Sequence, residues 1–139
     1  ELLEKQGVAQ ERLRILNIKG RANILELLKV VDVYLDSFPY GGAMSLLDPL
    51  QSAVPSIALE GRTLRGRLGS SILQDINLPQ FSARSPEDYL ALAVRMGNDP
   101  VFRAEAKKLF LQRQDAVLTG LQNSRAFGAE FSRWLEEVR

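Results

Sequence analysis

Two adjacent glycines, Gly41 and Gly42, follow an apolar run that ends at Asp36, and a helical pattern comes directly after them. Two glycines allow the backbone to approach a ligand closely. A helix that begins behind them presents free N–H groups and a partial positive charge. This arrangement suits a phosphate or a diphosphate. The alternative is a plain turn in which glycine is needed for a positive φ.

A carboxylate lies one helical turn further on. If the helix begins near Met44, Ser45 and Asp48 share one face, and the carboxylate could accept hydrogen bonds from ribose hydroxyls. A helix beginning there also leaves Pro49 early enough that its missing N–H costs little. The alternative is that Asp48 caps a helix that starts at Pro49, but that helix would hold only about six residues before Pro55. The local pattern leaves both interpretations open.

Basic side chains follow two of the predicted strands. Arg62, Arg65 and Arg67 come after the third strand, and arginine binds phosphate with two parallel hydrogen bonds. We favour the alternative, a solvated helix start with structural ion pairs, although Arg67 stays a candidate because it lies near the glycine pair. Lys19 and Arg21 follow the first predicted strand at the same edge, where a plain surface turn is the alternative.

The composition excludes several kinds of chemistry. The 139 residues contain no cysteine and no histidine, which rules out disulfides, thiolate catalysis, Cys-built or His-built metal sites and a Ser-His-Asp triad. A net charge of +1 offers no field that would recruit nucleic acid or anionic lipid. No apolar run reaches about 18 residues, so no transmembrane helix is predicted. The acidic start is unlike a signal peptide, and we expect a cytoplasmic protein and a fragment of a longer chain.

Short β-rich runs alternate with helical patterns in the first half of the chain. We predict strands over residues 12–16, 33–35 and 56–59, and helices over residues 22–31, from about 44 to before Pro55, and from Thr63 to about Gln74. Strand–helix alternation with short connections predicts a parallel sheet with right-handed crossovers. Three strands make a thin sheet, so further strands are expected upstream.

The second half is predicted to be nearly all helical. Ser85 followed by Pro86, and Asp99 followed by Pro100, are typical helix starts, and a last helix begins at Asn123 or Ser124. Apolar residues recur at helical spacing in each segment. The predicted buried faces are Tyr89, Leu92, Ala93 and Met96; then Phe102, Ala106, Leu109 and Phe110; then Phe127, Phe131, Trp134, Leu135 and Val138. We expect the last face to pack against protein.

The run VDVYLDSFPYGG at residues 31–42 resembles a segment of the O-linked N-acetylglucosamine transferase family, including bacterial members of the SPINDLY type that are often joined to tetratricopeptide repeats. The resemblance covers essentially the whole chain. Further matching positions are Asp48, Pro55, Gly61, Arg62, Thr63, Leu64, Arg67, Ser70, Leu73 and Tyr89.

The resemblance implies a GT-B glycosyltransferase with two Rossmann-like lobes. This chain would be an α/β, three-layer, parallel-sheet structure forming one nucleotide-sugar-binding lobe over residues 1–139, the C-terminal, donor-binding lobe. The family transfers a sugar, typically N-acetylglucosamine from its UDP ester, to Ser or Thr of proteins, with inversion and without a metal or other cofactor. By resemblance, the acceptor protein is bound largely by the upstream lobe, so this chain is expected to be inactive alone.

The resemblance also implies roles for particular residues. The family's Gly-His-Thr-Thr donor-phosphate segment falls on Gly42, Ala43, Met44 and Ser45, so Ser45 is its only hydroxyl here. The acidic residue that holds the donor ribose falls on Asp48. The segment that cradles uracil falls near Ile18, Lys19 and Arg21, with Arg21 at a family lysine position.

Two non-enzymatic interpretations remain as alternatives. Asp36 at the end of an apolar strand superficially resembles the phospho-acceptor of a receiver domain. However, no acidic pair follows an earlier strand, and no Lys-Pro closes a last strand. The other is a protein-interaction domain that uses the apolar face of the last helix. A dimer could form through this face.

Overall fold

The computed structural model describes residues 2–121 and 124–138, and Asn123, one of the two predicted starts of the last helix, lies outside them. Seven α-helices and three β-strands occur in that part of the chain. The helices are α1 (Leu2–Lys5), α2 (Arg21–Leu28), α3 (Met44–Gln51), α4 (Leu64–Asp75), α5 (Pro86–Asn98), α6 (Pro100–Leu121) and α7 (Ser124–Glu137), and the strands are β1 (Tyr34–Leu35), β2 (Ser56–Leu59) and β3 (Ser82–Ala83).

The three strands form one parallel sheet in the order β1-β2-β3. Tyr34 lies opposite Ser56, and Ala58 lies opposite Ser82. Because all strands run the same way, their carboxyl ends meet at one edge, which is where open α/β sheets bind ligands. The predicted parallel α/β architecture is therefore confirmed.

Polar caps start three of the helices at the predicted residues. The Thr63 hydroxyl accepts a hydrogen bond from the Gly66 amide at 3.2 Å, and the Ser85 hydroxyl accepts one from the Asp88 amide at 3.1 Å. The Asp99 carboxylate accepts from the amides of residues 101 and 102. These bonds satisfy N–H groups that have no partner inside the helix, so the sequence pattern alone located the starts of α4, α5 and α6.

The core lies around β2, whose first three residues are buried. Phe81 and Phe110 meet there with ring centroids 4.9 Å apart. Met96 and Ala106 are buried in the same cluster, as their helical spacing predicted. Leu109 is the exception in its predicted face, because it remains exposed.

The first predicted strand is wrong. Residues 10–12 form a short 3-10 turn, and residues 13–19 have no regular structure, with Ile15 96% exposed. Alternation of apolar and polar residues specifies only which side chains would share a face. A strand also needs a neighbour for its N–H and C=O groups, and the described parts of the chain provide none here.

The third strand of the sheet is instead Ser82–Ala83, which the sequence did not predict. Two residues are too few to show an alternating pattern. The strand exists because the segment after α4 is held beside β2, where the Glu60 amide donates to the Ala83 carbonyl at 2.8 Å.

The apolar face of α7 is largely exposed in the described part of the chain. The rings of Phe131 and Trp134 stack at 5.9 Å, and Trp134 is 55% exposed. The side chain of Phe127 lies outside the described residues. Association through this face stays a prediction. None of the helices in residues 2–121 and 124–138 is long and apolar enough to cross a membrane.

Candidate functional site

The loop after β1 is organised by Asp36, the first residue beyond the strand. Its side chain is only 5% exposed, and its Oδ1 accepts a hydrogen bond from the Gly42 amide at 2.8 Å. The Tyr89 hydroxyl, from α5, donates to the main-chain carbonyl of Asp36 at 3.0 Å. Asp36 therefore joins the end of the strand, the glycine pair and a distant helix.

Glycine is required around this carboxylate because there is no room for a Cβ. At Gly42 a Cβ would lie 2.7 Å from Asp36 Oδ1 and 2.4 Å from Ser45 Oγ. At Gly69 it would lie 2.3 Å from Asp36 Oδ2, and at Gly41 it would lie 3.0 Å from a main-chain oxygen of α4. Neither Gly41 nor Gly42 has a positive φ. The alternative interpretation, a turn that needs positive φ, is therefore wrong.

The amides of the two glycines are already used inside the protein. Gly42 donates to Asp36, and Gly41 donates to the Arg65 carbonyl at 3.2 Å. The residues that follow, Ala43, Met44 and Ser45, also carry amide donors. Among the hydrogen bonds of the described residues, none engages these three amides.

The start of α3 is left open to solvent. Its cap residue, Ala43, has no side-chain oxygen to bond the first amides, and Met44 is 76% exposed. The hydroxyl of Ser45 lies close to Gly42, because a Cβ added to Gly42 would be only 2.4 Å from Ser45 Oγ. An uncapped helix start with a partial positive charge can bind an anion.

Asp48 lies inside α3, which begins at Met44. The interpretation of Asp48 as the cap of a helix starting at Pro49 is therefore wrong. Ser45 and Asp48 are one turn apart, as expected for the earlier start. Pro49, however, is the sixth residue of the helix, beyond the first turn where its missing N–H would cost nothing, so the carbonyl of Ser45 lacks its helical donor.

Arg21 and Asp48, which the resemblance assigns to the nucleoside end of a donor, contact each other. Arg21 Nε lies 2.8 Å from Asp48 Oδ1, and Arg21 Nη2 donates to Gln51 Oε1 at 2.7 Å. This pair places the start of α2 beside α3. Asp48 is partly buried, and its second oxygen accepts no hydrogen bond from the residues that the structure describes.

The rest of the segment predicted to cradle a base precedes α2. The Lys19 carbonyl accepts a hydrogen bond from Asn23 Nδ2 at 2.8 Å, and Gly20 has a φ of 83°. Ile18 is partly buried, and Lys19 is exposed. The contact between Arg21 and Asp48 places these residues near the side of α3 that carries the carboxylate.

Comparison with known proteins identifies the family. The sequence profile of glycosyl transferase family 41 matches residues 1–128. The chain belongs to glycosyl transferase family 41. The fold agrees, because the structure superposes on a mutant of the O-GlcNAc transferase of Thermobaculum terrenum with a TM-score of 0.82, 31% identity and 97% of this chain covered.

Sequence relatives include longer proteins of plants and animals. The chain is 30% identical over 98 residues to a protein of Eustoma exaltatum subsp. russellianum named "Probable UDP-N-acetylglucosamine--peptide N-acetylglucosaminyltransferase SPINDLY", covering 70% of this chain. It is 24% identical over 115 residues, 82% of this chain, to the UDP-N-acetylglucosamine--peptide N-acetylglucosaminyltransferase of Caenorhabditis elegans. The family 41 chain spans 11% of the Eustoma protein, 10% of the Caenorhabditis protein and 26% of the Thermobaculum protein.

Arg67 makes structural contacts in this family 41 chain. Its Nε donates to the Gly61 carbonyl at 3.0 Å and lies 3.8 Å from Glu60 Oε1. These contacts agree with the ion-paired helix start that the sequence favoured. The cation beside the glycine pair is instead Arg65, whose guanidinium carbon lies 5.2 Å from the centroid of the Tyr40 ring.

The two residues that organise the loop, Asp36 and Tyr89, were not predicted to do so. Asp36 appeared in the sequence only as a possible phospho-acceptor, and its burial against three glycines argues against that role. The signal that could have found it was the combination of an acidic residue at a strand end with glycines at several later positions.

Burial raises the pKa of Asp36, partly opposed by hydrogen bonds from the Gly42 and Ser37 amides. Burial also raises the pKa of Tyr89, with the nearby Asp36 as the second cause.

The raised pKa of Asp36 predicts a measurable pH dependence of folding. Because the folded chain holds this proton more tightly than the unfolded chain, the contribution of Asp36 to the free energy of unfolding falls as the pH rises above the ordinary value of 3.8. We expect wild type to lose stability relative to Asp36→Asn as the pH rises above 3.8, measured by urea unfolding. If the free energy of unfolding of wild type, relative to that of Asp36→Asn, rose or stayed constant with pH, the raised pKa would be contradicted.

Proposed function

We propose that this chain binds the UDP moiety of a UDP-sugar donor, as the donor-binding lobe of an inverting, metal-independent protein O-glycosyltransferase. The observation that carries the proposal is the uncapped start of α3 at the carboxyl edge of the sheet, one turn before Asp48. The amides of Ala43, Met44 and Ser45 would bind the diphosphate. The free oxygen of Asp48 would accept hydrogen bonds from the ribose hydroxyls.

The sugar and the acceptor are proposed from the relatives. The Eustoma and Caenorhabditis proteins are named for the transfer of N-acetylglucosamine to peptides. We accordingly propose N-acetylglucosamine as the sugar and Ser or Thr of a protein as the acceptor. The base segment of the site would consist of Ile18, Lys19 and Arg21.

The geometry of α3 explains how such a transfer could proceed without a metal. In an inverting transfer, the acceptor oxygen forms a bond to the sugar C1 while the bond from C1 to the β-phosphate oxygen breaks and leaves its electron pair on that oxygen. Negative charge then grows on the diphosphate. Amide dipoles that are already oriented at a helix start stabilise this charge without reorganising.

The acceptor hydroxyl must also lose a proton to a base, and neither Asp36 nor Asp48 is placed for this task. Asp36 is buried and bonded to Gly42, and Asp48 is paired with Arg21. We therefore propose that the base and most of the acceptor site are supplied by the upstream lobe. The isolated chain should bind UDP but should not transfer sugar.

Titration of ¹⁵N-labelled chain with UDP tests this function. We expect UDP to shift the amide resonances of Ala43, Met44, Ser45 and Asp48, because these groups would contact the nucleotide. ADP, matched in charge, should shift them far less, because its larger base does not fit a uracil site. No UDP binding, or shifts confined to another surface, would contradict the proposal, and sugar transfer by the isolated chain would contradict its proposed inactivity.

A further inference from the structure

Arg65, in the first turn of α4, is tied to the loop that precedes α3. Its carbonyl accepts the hydrogen bond from the Gly41 amide at 3.2 Å. Its guanidinium carbon lies 5.2 Å from the centroid of the Tyr40 ring, which is itself 60% exposed. An arginine over an aromatic face is held by a cation–π interaction. The cation is therefore positioned beside the residue that precedes the glycine pair.

Most other arginines near the sheet already have a carboxylate partner. Arg21 pairs with Asp48, Arg67 and Arg84 lie 3.8 and 4.0 Å from Glu60, and Arg103 lies 3.5 Å from Asp32. Among the ion pairs of the described residues, none includes Arg65.

The position of Arg65 is electrostatically unfavourable by itself. The first turn of α4 contains no acidic residue, and the positive end of a helix dipole disfavours a cation there. An anion bound beside the guanidinium would remove this conflict. The exposed, unpaired cation thus points to a negatively charged ligand at the carboxyl edge of the sheet.

The direction of the proposed nucleotide identifies which part of the ligand would meet this cation. Asp48 would hold the ribose, and Ser45 is about 4.5 Å nearer the start of α3, given the rise of a helix. Beyond that start lie Gly41 and Tyr40. Following the chain backwards from the carboxylate, the site therefore passes from the ribose to the α-phosphate and then to the β-phosphate.

We propose that Arg65 binds the β-phosphate of the donor and that the ring of Tyr40 holds its guanidinium in place. This assignment rests on the proposed function. The sequence kept Arg67 as a candidate for binding phosphate, and this assignment gives that role to Arg65. It also explains why a cation lies at the start of α4. The β-phosphate is also the group that gains charge during transfer, so the same contact would stabilise the leaving group.

Isothermal titration with UDP and with UMP tests the assignment. Because a charge-assisted contact to the β-phosphate is lost, we expect Arg65→Gln to weaken UDP binding about tenfold. UMP has no β-phosphate, so its affinity should change less than about twofold. Arg65→Lys, which keeps the charge without the planar fork, should fall between wild type and Arg65→Gln. Arg62→Gln removes an exposed arginine that lies just before α4 and should leave both affinities close to wild type.

The outcomes separate this assignment from the proposed function. If wild type binds UDP and Arg65→Gln binds it equally well, or no more weakly than Arg62→Gln, the assignment is wrong while the proposed function stands. Equal loss of UDP and UMP affinity would also overturn it, because the contact would not be to the β-phosphate. If wild type binds neither nucleotide, both the proposed function and the assignment fail.

Discussion

Asp48→Ala should weaken UDP binding by between about tenfold and a hundredfold, the effect expected when hydrogen bonds to a charged group are lost. The substitution removes the acceptor proposed for the ribose hydroxyls. It also releases Arg21, whose Nε lies 2.8 Å from Asp48 Oδ1, so the segment before α2 would lose its link to α3. Calorimetric titration of the full chain with UDP measures the effect.

A matched control separates the loss of the Asp48 carboxylate from the release of Arg21. Gln51→Ala removes the other contact of Arg21, from its Nη2 at 2.7 Å, and leaves Asp48 intact. We expect this variant to bind UDP within about threefold of wild type, because an exposed contact of this kind contributes little. Uridine should lose as much affinity as UDP in Asp48→Ala, since the ribose contact is common to both. Unchanged UDP binding in Asp48→Ala would remove Asp48 from the site.

Gly69→Ala is expected to lower the free energy of unfolding by about 3 kcal/mol, as overpacking of a close contact does. A Cβ at this position would lie 2.3 Å from Asp36 Oδ2 and 3.1 Å from the Cβ of Ala58. Asp36 cannot simply move away, because Gly42 and Tyr89 hold it from two other directions. The strand or the start of α4 would have to shift.

The same substitution at Gly97 provides the control. Gly97 lies inside α5, and a Cβ there would have no other atom within 4 Å. We expect Gly97→Ala to raise the free energy of unfolding by about 0.5 to 1 kcal/mol, because alanine favours a helix more than glycine does. Urea unfolding of both variants measures the contrast. If Gly69→Ala were as stable as Gly97→Ala, the packing around Asp36 would be looser than described.

Local patterns predicted elements whose causes lie within a few residues. The starts of α4 and α5 illustrate this: Thr63 and Ser85 each cap a helix through an amide three residues later. The strand over residues 56–59 was predicted at both ends, because a buried apolar run between Pro55 and a turn has few other interpretations. The start of α3, which has no capping side chain, was ambiguous by contrast.

Contacts between distant segments decided the remainder. The pattern over residues 12–16 could not show whether a neighbouring strand was present, and Ser82–Ala83 was too short to have a pattern at all. The need for glycine at positions 41 and 42 was visible in the sequence, but a positive φ, one of the two causes considered, is not the reason. The cause is the buried carboxylate of Asp36 and the side chain of Ser45, together with the carbonyl of Arg65 from the next helix.

Short-range spacing and recognisable motifs were enough to predict the family, the parallel α/β class, most helix starts and the candidate residues along α3. Three features could be read only from the folded chain: the amides without a partner, the arginine beside the loop and the buried carboxylate. The hydrogen bond from Tyr89 to Asp36 joins residues 53 positions apart. Burial and pairing across such distances depend on how whole elements pack, and no local pattern contains that information.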